Sequence, residues 1–219
     1  MKPFIKHTLF VLFMVIGCHA NSQNKVFEPT GSFAVDVGIP AQGKNEGFGR
    51  VMNGLFNGGL TYQYNIVKGF TIGFGAKYSF FLLNSFAFNN TLTGGYHIPS
   101  AFGKLGYEKF ITERFSISPG LRMGYSMIVS ANDSCNVNLG GPYTDDAFFI
   151  EPQVELLLLT DKNSSDGFSF VLGYNMVMNE FKPEQLALEN VPNLLDESFV
   201  GITRFLSIGF GYRYYMGRN

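Results

Sequence analysis

Along most of this chain apolar and polar residues alternate with a period of two, the mark of β-strands whose two faces meet different surroundings. The run FLSIGFGYRYY (205–215) sets Leu206, Ile208, Phe210, Tyr212 and Tyr214 against Ser207, Gly209, Gly211 and Arg213. The same rhythm appears in GSFAVDVGI (31–39), GLTYQYN (59–65), FTIGFGAKYSF (70–80) and, more weakly, GKLGYEKF (103–110). It continues in FSISPGLRMGYSM (115–127), FFIEPQVELLLL (148–159) and FSFVLGYNMVM (168–178). Eight strands are therefore predicted. Pro119 and Pro152 fall inside two of these runs, and each removes a ladder donor, so bulges or strand ends are expected there.

The connections alternate in length. Those after the second, fourth and sixth strands are short (NIVKG, ITER, TDKNSSDG). Long polar or glycine-rich segments, 40–54, 81–102, 130–147 and 179–201, follow the first, third, fifth and seventh. PEQLALENV in the last of these predicts a short helix. An even strand number with alternating short and long connections is the plan of an up-and-down barrel.

Volume decides which face is inside. An eight-stranded barrel has an interior just wide enough for side chains to fill it, and rows drawn from 24 Phe and 11 Tyr would overfill it. Rows of Gly and Ser with an occasional long charged side chain fit. A soluble sandwich would carry the Gly and Ser rows outside, with too few charges for a solvated surface, since charged residues make up only 15% of the chain. The apolar rows are therefore expected to face lipid. By parity the inward positions include Asp36, Glu108, Glu151 and Glu155 with Lys77, Lys104, Arg122 and Arg213. Four charges of each sign in so narrow a space are expected to pair and to plug the lumen.

The N-terminus adds an export signal. MKPFIKHTLFVLFMVIGCHANSQ has Lys2 and Lys6, then an apolar run from Leu9 to Gly17, then small and polar residues, the order of a secretory signal peptide. The run is too short for a spanning helix, which takes roughly 20 residues. The expected division is a signal peptide over 1–22 and a barrel domain over 23–219. VIGC (15–18) also fits a lipoprotein box that would leave Cys18 as the mature start; ordinary cleavage after Ala20 or Ser22 is the reading taken, because a barrel seldom needs a second anchor. Cys135 is then the sole cysteine, read as a loop residue without a disulfide partner.

Ser207, Gly209, Tyr212 and Tyr214 resemble the C-terminal β-signal of outer-membrane proteins: a polar residue, a Gly two positions on, then two aromatics at alternate positions. Five residues follow Tyr214 where family members often stop near the final aromatic. With the alternating strands, the whole mature chain resembles small outer-membrane barrels of the OmpA/OmpX type. That resemblance implies an all-β, eight-stranded antiparallel transmembrane barrel in the outer membrane of a Gram-negative bacterium. It implies assembly by the barrel assembly machinery, contact with outer-membrane lipids and lipopolysaccharide, and a monomer. The chain lacks Trp, which leaves Tyr and Phe to occupy the membrane interfaces.

Candidate chemistry changes this picture little. A net charge of -1 without a basic cluster excludes a nucleic-acid footprint. Some eight-stranded barrels are lipid A acyl-chain enzymes, but His97 and Ser100 stand three apart with Pro99 between them, which does not match the deacylase pattern of a His and a Ser two apart on one strand face. Glu151 and Glu155 share a face yet lie roughly 13 Å apart by strand rise, too far for a carboxylate dyad. Asp133, Asp145 and Asp146 concentrate in one loop without the ligand spacing of a calcium loop. No cofactor, metal or catalytic residue is expected. The leading expectation is a structural or surface-interaction barrel, ahead of a narrow channel or transporter and of a lipid A-modifying enzyme.

Overall fold

A computed structural model describes residues 29–41, 46–67, 69–88, 92–161, 164–189, 191 and 196–217. The signal peptide read over 1–22 and the alternative at Cys18 lie outside them. The strands are β1 (Gly31–Ala41), β2 (Met52–Val67), β3 (Phe70–Leu83), β4 (Gly94–Tyr107), β5 (Lys109–Phe110), β6 (Phe115–Asn132), β7 (Tyr143–Leu159), β8 (Asp166–Glu180) and β9 (Ile202–Met216). They pair antiparallel in the order β4-β3-β2-β1-β9-β8-β7-β6-β5, and β4 also pairs with β6. β4 and β5 are two halves of one stave broken at Glu108, so the wall is a closed eight-stranded antiparallel barrel. No described helix is long and apolar enough to cross a membrane.

The strands outrun their periodic cores at the end bearing the long connections. β2 begins at Met52, β4 at Gly94, and β6 runs to Asn132, so much of the expected loops 81–102 and 130–147 is strand. What remains is helical in part: α1 (Glu46–Val51), α2 (Asp133–Asn138) and single 3₁₀ turns at Ser85–Phe88, Pro183–Leu186 and Asp196–Phe199. The turn at Pro183–Leu186 is the short helix expected in PEQLALENV. Cys135 sits fully buried in α2 rather than in a loop, where the Asn132 side chain caps the helix by accepting from the Cys135 amide at 2.9 Å.

The prolines do not make bulges. Opposite Pro119 the register is the same on both sides of the break, Gly106 facing Gly120 and Lys109 facing Ile117. At Pro152 the β7–β8 pairs stop at Ile150↔Met176 and resume in register at Gln153↔Gly173. A missing N–H costs one ladder its local pairing and leaves the other ladder whole, because alternate residues direct their N–H to opposite neighbours.

The apolar rows point outward. On β7 the outward row runs Phe148, Ile150, Pro152, Val154, Leu156, Leu158; on β8 it runs from Phe168 to Met178 and on β9 from Leu206 to Met216. Phe74, Phe210 and Tyr125 are about two-thirds exposed or more. Facing strands stack these rings edge to face, Phe170 on Phe210 at 5.7 Å and Phe168 on Tyr212 at 5.8 Å, pairs that stabilise a sheet face beyond their burial.

Candidate functional site

The interior holds all eight charges that parity assigns to it, each buried. Asp36 comes from β1, Lys77 from β3, Lys104 from β4, Arg122 from β6, Glu151 and Glu155 from β7 and Arg213 from β9, with Glu108 at the break between β4 and β5. They sort into two groups of four, each with two cations and two anions.

In the first group Lys77 Nζ donates to Glu151 Oε2 at 2.7 Å, Arg122 lies 3.9 Å from the same carboxylate, and Arg122 Nη2 donates to Asp36 Oδ1 at 2.9 Å. In the second, Lys104 stands 3.8 Å from Glu155, Arg213 donates to Glu155, and Arg213 Nη1 donates to Glu108 Oε1 at 3.0 Å. Glu151 and Glu155 thus belong to different groups, and cations separate the carboxylates of each. In a dry interior such alternation is what makes burial of eight charges tolerable.

Neutral partners complete the network. Lys104 donates to Gln63 at 3.0 Å and Arg122 to Thr61 at 3.2 Å. Lys77 donates to Asn175, whose amide donates to Ser207 Oγ at 3.2 Å; Tyr215 donates to Glu108. Two glycines make the necessary room. A Cβ at Gly173 would lie 2.5 Å from Glu151 Oε1, and one at Gly59 would lie 3.0 Å from Asp36 Oδ2. Gln63, Asn175 and Gly173 all stand in the polar rows, so parity marks their side of the wall without revealing which charge each serves.

Apolar clusters flank the network along the barrel axis on both sides. Toward the short connections Leu157, Leu159 and Tyr215 form a small apolar cluster with Phe110 against it. Toward the long connections lies a larger cluster, in which Phe81, Tyr96, Phe102, Phe149 and Phe205 of the strands meet Phe48 of α1 and Phe181 and Leu186 of the last long connection. The expected inward rows of Gly and Ser with an occasional long charged side chain hold around the charges, and the inward rows turn aromatic above them. The two zones touch: Lys77 lies 5.2 Å from the Phe149 ring centroid and Arg122 4.8 Å from that of Phe102, distances at which a ring face attracts a cation. A void beside Asp36, Arg122 and Glu151 measures about 10 Å³, room for roughly one water.

A polar clamp fastens the aromatic end. Gln185 donates to Asn179 at 2.7 Å and accepts from Tyr96 at 3.1 Å, Asn179 donates to Asp145 at 2.8 Å, and Asn138 of α2 donates to the Ala187 carbonyl at 2.9 Å. Sequence reading missed this clamp and the aromatic plug. Several of their residues, Phe48, Asn138, Phe181, Gln185 and Leu186, come from separate connections that carry no periodic signal, and they meet strand residues only at the rim.

The remaining candidates stay apart. His97 points outward from β4, bonded to the Tyr78 hydroxyl at 2.6 Å and stacked on Phe80 at 4.7 Å, whereas Ser100 points inward to Ser126 at 2.7 Å. Asp133 accepts from Thr93 Oγ1 at 2.7 Å, and among the described residues no group of three His, Cys, Asp or Glu is placed to hold a metal. Of the four residues resembling an assembly signal, Ser207 and Gly209 face inward and Tyr212 and Tyr214 outward.

No protein-family model matches the chain, and no curated protein matches it in sequence. Solved structures match it in fold. Neisserial surface protein A superposes with a TM-score of 0.51 at 11% identity, over 84% of this chain and 95% of that one. A major outer membrane protein from Thermus thermophilus superposes with a TM-score of 0.53 at 9% identity, over 85% and 99%. At these identities the likeness is one of fold.

Proposed function

We propose that this chain is a non-enzymatic outer-membrane β-barrel with a closed lumen, serving a structural or surface-interaction role through its long connections. The observation that carries the reading is the outward apolar band. On each of β7, β8 and β9 it spans six alternate residues, ten residue steps, which is about 34 Å along a strand. At a tilt of about 40° that becomes roughly 26 Å, close to the apolar height of about 25 Å expected of an outer-membrane barrel. Polar or charged residues bracket it: Asp146 outward on β7, Asp166 and Glu180 on β8, Arg204 on β9. In hydrocarbon every backbone group must pair internally, and a closed barrel meets that demand except where an in-strand proline lacks its N–H.

On this reading the short connections face the periplasm, the long ones the exterior, and the surrounding lipids and lipopolysaccharide cover the aromatic rows of a monomer. The C-terminal strand would be read by the barrel assembly machinery through Ser207, Gly209, Tyr212 and Tyr214. The sealed interior favours this role over a channel, and the separation of His97 from Ser100 favours it over a lipid A enzyme. Fractionation of cells expressing the chain tests the location. Recovery with the outer membrane, migrating faster on gels before heating than after, is the expected result; recovery in the soluble fraction contradicts it.

A further inference from the structure

The outward wall is not uniform. Between β4 and β6 it carries a recess of about 550 Å³ bordered by Ala76, Pro99, Ala101, Tyr125, Met127 and Asp146. It lies at the end of the apolar band nearest the long connections, where β6 and β7 pair Met127 with Asp146. Small side chains form its floor, since Ala76 faces Ala101 across β3 and β4, while Tyr125, two-thirds exposed, stands at its side against Phe148 at 5.8 Å.

The ladder beneath the recess is open. β3 and β4 pair without a gap through Tyr78↔Pro99, but β4 and β6 pair at His97↔Val129 and next at Ser100↔Ser126. The N–H that Pro99 lacks therefore belongs to the β6 side, and the register sets Met127 opposite it. The Met127 carbonyl has no ladder donor there, on a wall that faces hydrocarbon. An acceptor left without a donor in that medium is unfavourable, and a hydroxyl-bearing ligand relieves it.

We infer that this recess binds one long-chain amphiphile from the membrane side, its hydroxyl head donating to the Met127 carbonyl and its hydrocarbon lying on Ala76 and Ala101. The proposal rests on the reading that the aromatic rows face lipid, and it adds a specific occupant to an otherwise general lipid surface. The position near Asp146 puts the head at the level where the band meets polar surroundings and leaves the chain running toward the bilayer middle.

The chain has no Trp, so Phe148→Trp supplies a single fluorescent reporter beside Tyr125. The protein is reconstituted in phosphatidylcholine and titrated with a long-chain alcohol brominated near its hydroxyl end, or with the methyl ether of that alcohol. Saturable quenching by the alcohol is expected, with the ether about fivefold to tenfold weaker, the worth of one hydrogen bond. Two further variants, each checked for the heat-dependent gel shift, are built on the reporter: Pro99→Ala restores the ladder donor, and Ala101→Phe fills the recess. Pro99→Ala should weaken the alcohol to the level of its ether, and Ala101→Phe should bring it down to unsaturable, collisional quenching. Equal quenching by alcohol and ether, or saturable quenching that survives Ala101→Phe, overturns the site. A second reporter, Phe210→Trp, keeps the two readings apart: if brominated phosphatidylcholine fails to quench it, the membrane-facing assignment has failed rather than the recess.

Discussion

Two stretches of one narrow interior are filled by opposite chemistry. In the middle, eight charges from seven strands or strand ends are bound to one another across the barrel. Toward the long connections, Phe48, Phe81, Tyr96 and Phe181 meet edge to face at 5.0 to 5.8 Å, and residues of the connections complete a core like that of a soluble protein. The difference lies in how damage spreads. An apolar core absorbs the loss of one group by repacking around it, whereas a charge deprived of its partner in a dry site has nothing to turn to. The middle therefore couples distant strands of the barrel, and the outer end is a local structure fastened on top.

The largest effect should come from the middle. Arg213→Ala removes the cation that joins Glu108 to Glu155 and should lower stability by about 3 to 5 kcal/mol, as breaking a buried pair does. Urea unfolding in detergent measures it, and loss of the whole barrel in one transition is the expected form. A change under about 1 kcal/mol would mean that water reaches the pair freely.

Next comes the outer face at the same depth. Phe210→Arg sets a charge in the apolar band and should cost roughly 2 to 4 kcal/mol if it lies near the bilayer midplane, read as reduced folding into lipid by the gel shift of unheated samples. Folding as stable as the wild type would reverse the assignment of faces.

The smallest and most local effect belongs to the clamp. Gln185→Ala leaves the buried Tyr96 hydroxyl and Asn179 without their partner, a loss of about 1 to 3 kcal/mol. It should appear as faster proteolysis within 181–189 while the barrel keeps its gel shift. Simultaneous loss of the barrel would show that the outer end is not separable from the middle.

How much of this was legible in sequence follows the same divide. In the middle, parity alone places Lys77, Glu151 and their partners on the inner face, because a strand offers only two directions. Parity does not say that Lys77 meets Glu151 rather than Glu155, which depends on the stagger of strands around the barrel. At the outer end parity still operates, yet His97, Pro99 and the glycines at 94 and 95 read as loop composition, so the extension of β4 was hidden. Phe48, Leu186 and Phe199 lie in connections where no period exists, and they join one core only once the barrel brings its rim together. Pro119 and Pro152 misled in a different way: their cost depends on which neighbour the missing N–H faced, and the chain alone does not state that.

The central claim is that paired charges, held between an aromatic plug and the Leu157–Leu159–Tyr215 seal, leave no continuous water path through the barrel. Recording the purified wild-type protein in a planar bilayer tests it most directly. Rare, small openings are the predicted record. Steady, large, ion-selective conductance would contradict the closed interior and make the protein a channel.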